Sequence, residues 1–113
     1  MNRERPRPPH PDLIRRPPRS FGWLDARLLR EEWLGLLGPE RVAVLTLLAL
    51  AADRIGSSFY RRETMALALS MPRRDLDAAL ERLLELELIA HRPFDKGHVD
   101  GVWQILPVPP RRT

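Results

Sequence analysis

Residues 63–93 read ETMALALSMPRRDLDAALERLLELELIAHRP. A helix fits Arg62–Leu69, and Ser70-Met71-Pro72 interrupts it. A longer helix follows from Pro72 to about Glu87. On a helical wheel its Leu76, Ala79, Leu80, Leu83 and Leu84 share one face, while Arg74, Ala78, Glu81 and Glu85 share the other. Leu88–Arg92 then reads as a strand, Pro93–Gly101 as a turn-rich loop and Val102–Leu106 as a returning strand.

Upstream of this stretch, Ser57–Tyr60 suits a short strand. Val42–Ala52 is apolar on nearly all sides, which predicts a central buried helix ended by Asp53, Arg54 and Gly56. Gly38-Pro39 stops one helix and starts this one, because proline tolerates the first turn of a helix. Phe21–Leu37 is expected to be a short extended start followed by one amphipathic helix. Its Leu28, Leu29, Trp33, Leu36 and Leu37 lie opposite Arg27, Arg30 and Glu31. The predicted order is helix, helix, strand, helix, helix, hairpin: a mainly α domain with a small β element, spanning residues 20–106.

Residues 1–19 differ in character. They hold six prolines and six arginines with no helical or strand period, and read as an extended Pro/Arg-rich arm. Leu13 and Ile14, its one sizeable apolar pair, are the residues able to pin it to the domain. The same reasoning makes residues 107–113 a C-terminal tail outside the core. Charge follows this division. The arm has a net charge of +4 and residues 20–110 of −2, with Arg111 and Arg112 making up the total of +4. The high pI therefore belongs to the ends, and any anion-binding surface on the domain has to be a local patch.

The segment 63–93, with the hairpin LIAHRPFDKGHVDGVWQIL at 88–106, resembles the winged helix-turn-helix domains of bacterial and phage DNA-binding proteins. The resemblance covers Pro39–Leu106. It gives Ala66 the place of the small residue that lets the third helix cross the second closely, and has Leu69 and Met71 bracket the turn. It implies double-stranded DNA as partner, with the first turns of the third helix in the major groove and the wing beside the backbone. Carried over, the groove-facing positions are Pro72, Arg73, Arg74, Asp77 and Ala78. Arg92, Lys96 and His98 fall on the wing, and Arg61 and Arg62 at the front of the second helix. Arginine suits both tasks, since its planar fork of donors matches phosphate oxygens and the O6 and N7 atoms of guanine. The chain departs from the family at Ser70, where glycine is usual, and at Glu81 and Glu85, whose charge confines insertion to the first turn and a half. The plainer account makes Arg73 and Arg74 solvated residues paired with Asp75 or Asp77.

Two roles share this fold, transcription regulation in a bacterium or mobile element and an accessory part in phage or plasmid replication. FGWLDARLL at 21–29 is similar to the stretch that precedes the helix in replication modules. A third use is protein–protein interaction. Leu67, at a position commonly polar in the family, and Trp33 suggest a homodimer or partner contact, although Leu67 also suits packing on the N-terminal segment. Trp23, Trp33 and Trp103 are expected in the core or at subunit contacts.

No catalytic constellation is apparent. His10, His91 and His98 are isolated, cysteine is absent, and there is no glycine-rich phosphate loop. Asp95 and Asp100 share a loop and are expected to be exposed. The expectation is a cytoplasmic protein that is not an enzyme and holds no cofactor or metal.

Overall fold

The computed structural model describes residues 6–93 and 100–111. Among them are five helices, α1 (Arg27–Arg30), α2 (Trp33–Leu37), α3 (Pro39–Ala51), α4 (Arg62–Leu69) and α5 (Arg73–Glu85). Three strands, β1 (Ser57–Ser58), β2 (Ile89–Pro93) and β3 (Gly101–Ile105), form one antiparallel sheet in the order β1-β3-β2. No helix among these residues is long and apolar enough to cross a membrane.

The core lies between α3, α5 and the sheet. Val44, Leu45, Leu48 and Ala49 of α3 meet Leu76, Ala79, Leu80 and Leu83 of α5, with Trp103 of β3 fully enclosed. These residues recur at spacings of three and four on each helix, so each buries one stripe. The expectation that α3 is buried all round is corrected: Leu50 is exposed. Gly38, at φ 81° and ψ 168°, occupies backbone space open essentially to glycine alone, and it turns the chain from α2 into Pro39 at the start of α3.

The predicted amphipathic helix before Gly38 is instead two short ones, α1 and α2, joined through Glu32 in the left-handed region at φ 63°. The reason lies in the spacing. Leu28 and Trp33 are five residues apart, which on a continuous helix would set them about 140° from each other. The break lets Leu28, Trp33 and Leu37 all enter the core and leaves Leu29 and Leu36 outside. Asp25 starts α1 by accepting the Arg27 amide at 2.8 Å.

The C-terminal tail departs from expectation. Val108 is buried, and the Arg111 guanidinium sits 5.3 Å from the Trp33 ring centroid while donating to the Glu31 carbonyl at 3.0 Å. The tail is thus packed on the domain, because it carries one apolar and one cationic group that find matching partners. Residues 6–20 are exposed throughout and form no helix or strand. Leu13 and Ile14 are exposed too, so they do not pin the arm to the domain.

Candidate nucleic-acid interface

The turn between α4 and α5 sets where α5 begins. Ser70 adopts φ 51° and ψ 46°, and the Met71 amide donates back to the Ala66 carbonyl at 2.9 Å. This six-residue closure satisfies a free carbonyl at the end of α4. Serine therefore takes the left-handed conformation expected of a glycine at this turn. Pro72 follows in an extended conformation and starts α5 without any side-chain cap. At the positive end of this 13-residue helix the Arg73 and Arg74 amides thus have no side-chain cap, while the Asp75 amide donates to the Pro72 carbonyl at 3.0 Å.

The candidate residues divide into three groups around this point. Arg74 is 89% exposed, and its closest carboxylate, Asp75, is 3.9 Å away. Arg61, Ala78 and Arg92 are likewise exposed, as are Glu81 and Glu85 further along α5. Arg73 is half committed: its Nε donates to Asp77 Oδ1 at 3.1 Å, an ion pair one helical turn long. The solvated pairing considered for both arginines thus holds for Arg73 and only loosely for Arg74.

Arg62 belongs to a structural knot, which corrects its assignment as an outward contact, while Asp77, one of its partners, stays 47% exposed. The Arg62 side chain is only 14% exposed. Its guanidinium lies 4.8 Å from the Trp103 ring centroid, 3.4 Å from Asp77 and 3.8 Å from Asp100. Its backbone amide also donates to Asp100 Oδ1 at 2.9 Å. One residue thereby ties the start of α4 to α5 and to the base of β3. Asp100, expected to be exposed, is part of this knot. No pattern in the sequence separates Arg61 from Arg62. Adjacent helix-start residues point to different sides, and only the position of Trp103 decides which one turns inward.

His91 completes the cluster by stacking on Trp103 at 3.9 Å between centroids. The two are cross-strand partners on β2 and β3. Burial pushes the His91 pKa below the ordinary histidine value, and the nearby Arg62 charge adds to the effect against an opposing pull from Asp100. Its Nε2 is buried with no hydrogen-bond partner among the described residues, so little offsets the cost of a charge there.

Lys96 and His98 lie outside the described residues. Leu67 projects from α4 at 82% exposure, packed neither on the N-terminal segment nor on the core. Trp33, its companion as a partner contact, is corrected: at 4% exposure beneath Arg111 it offers no surface. Trp103 is in the core and Trp23 is exposed.

No family model, curated protein or solved structure matches this chain.

Proposed function

We propose that residues 39–106 form a winged helix-turn-helix domain that binds double-stranded DNA, in the service of transcription regulation in a bacterium or mobile element. The observation that carries this reading is the start of α5, an uncapped helix terminus bearing the exposed Arg74 beside the half-free Arg73. Helix N-termini with arginines suit phosphate and guanine edges alike. The order of elements, with a short strand before the helix pair and a hairpin after it, matches the winged arrangement. Arg61 at the front of α4 and Arg92 at the end of β2 supply flanking positive charge. Glu81 and Glu85 limit the contact to the first turns of α5, and Asp77 serves by orienting Arg73.

Such a contact set is small for a lone reader, and a homodimer would double it. Leu67 and the apolar groove between α3 and α4, lined by Leu47, Leu50, Tyr60 and Ala68, are the surface we assign to self-association. Selection of bound duplexes from a random pool tests the whole reading. A palindromic site is the expected return, with half-sites spaced by roughly one DNA turn or a multiple of it. Failure to enrich any sequence, with no retained duplex at low salt, would leave the domain's acidic α5 face and Leu67 to a protein partner instead.

A further inference from the structure

A cavity of about 760 Å3 opens where residues 19–25 cross the C-terminal end of α3 and the end of β3. Gly22 permits the crossing, since a Cβ there would run into the Ala49 carbonyl oxygen. The deep wall is apolar and built from core residues, among them Leu28, Leu45, Ala49 and Leu88. Phe21 and Trp23 stand exposed at the mouth. The volume falls within the roughly 300–1,000 Å3 typical of small-molecule sites.

The charges around it are unevenly committed. Asp25 accepts from Arg27 Nε at 3.0 Å and Nη2 at 2.9 Å, and this pairing holds its carboxyl below the usual range. Asp53 Oδ1 accepts the amides of Ile55 and Ser57, both at 3.0 Å. Arg19 and Arg54 also line the cavity, exposed, with no ion pair or hydrogen bond among the described residues. The amides leave the Asp53 charge in place, so beyond the Asp25–Arg27 pair the lining sets Arg19 and Arg54 against Asp53 alone, a cationic excess of one. The end of α3 presents an opposing partial charge of about half an electron. The two arginine charges outweigh that partial charge and Asp53 together for an anion seated at the rim beside Arg19 and Arg54.

We infer that this cavity binds a small apolar carboxylate, its hydrocarbon body against Leu45, Ala49 and Leu88 and its carboxylate paired with Arg19 and Arg54. Arginine holds carboxylates through two parallel hydrogen bonds, a geometry a neutral head group cannot reproduce. The inference goes beyond DNA binding and does not rest on it.

The test is an amide chemical-shift titration of the full chain with 2-naphthoate, with decanoate and with the neutral 2-naphthamide. At least one carboxylate should saturate, with shifts centred on Gly22, Ala49 and Ile105. Tighter naphthoate binding would mean a ring against Phe21 and Trp23, and tighter decanoate binding an alkyl chain on the deep wall. Naphthamide should bind about fivefold or more weakly than naphthoate, as expected when charge-assisted bonds are lost. Arg19→Gln with Arg54→Gln should bring naphthoate down to the amide's affinity while the melting temperature stays unchanged. Ala52→Phe, which fills part of the space, should weaken all three probes. Absence of saturation with both carboxylates would overturn the inference, as would shifts centred on Leu50 and Leu67 or wild-type affinity in the double arginine variant. The titration contains no DNA and duplex selection contains no carboxylate, so either can fail alone.

Discussion

Arg62 sits over Trp103 with Asp77 on one element and Asp100 on another. At 14% side-chain exposure its interactions are shielded from most solvent screening, unlike those of Arg73 or Arg74. Replacing it with alanine should lower unfolding free energy by about 1–3 kcal/mol, through the lost cation–π contact and the lost charge beside Asp77 and Asp100, which keep only Arg73 and the residue 62 amide as partners. Urea unfolding measures this. Arg62→Lys should fall in between, since lysine keeps the charge but loses the planar contact. His91 next to it makes a separate expectation. A histidine whose folded pKa lies below its unfolded one stabilises the fold above the unfolded value of about 6.5 and loses that contribution as pH falls through the folded value. The His91 ring protons should titrate below 6.5 by NMR, and Arg62→Ala should move the midpoint upward by removing one of its two causes. A midpoint at or above the ordinary value would contradict the burial argument.

Whole elements were more legible in the sequence than single side chains. The bounds of α4, the apolar stripe of α5 and the hairpin followed from spacing and from Ser70-Met71-Pro72, because period and chain breakers are local signals. The division of α1 from α2 was not legible: the stripe from Leu29 to Leu37 suits a helix, and only the demand of the core for Leu28 and Trp33 together breaks it. The same limit applies to the site. Arg73 and Arg74 were found by their place at a helix start, while the inward turn of Arg62 depends on residues forty positions away. Three helices, α1, α4 and α5, are followed by non-glycine residues in the left-handed region, Glu32 at φ 63°, Ser70 at φ 51° and Glu87 at φ 60°. That conformation costs about 1–2 kcal/mol for a residue with a Cβ, against about 0.5–1 kcal/mol for the extra freedom of an unfolded glycine. Ser70→Gly should therefore stabilise the protein modestly, by up to about 1 kcal/mol, with the α4–α5 turn unchanged. A destabilising result in thermal unfolding would mean that the serine hydroxyl serves the turn.

For the molecule as a whole, the core is completed by chain beyond the hairpin. Val108 is buried and Arg111 covers Trp33, so removing residues 107–113 should cost about 2–3 kcal/mol of stability, from one buried valine and one cation–π contact. Charge at this scale confines the proposed DNA affinity to a local patch. The domain is slightly acidic overall, and Arg61, Arg73, Arg74 and Arg92 form an outward cationic group at the starts of α4 and α5 and on β2. The most direct test is the salt dependence of duplex binding by the wild type and by Arg74→Ala, measured between about 50 and 200 mM salt. Four neutralised phosphates predict a log–log slope of about −3 to −4 per protomer. Arg74→Ala should flatten it by about 1 if the residue meets a phosphate, or cost about 1–3 kcal/mol with lost sequence preference if it reads a base. Arg73→Ala should have the smaller effect, because Asp77 already holds part of its guanidinium. Equal affinity and slope for wild type and Arg74→Ala, or no duplex binding at low salt, would contradict the account.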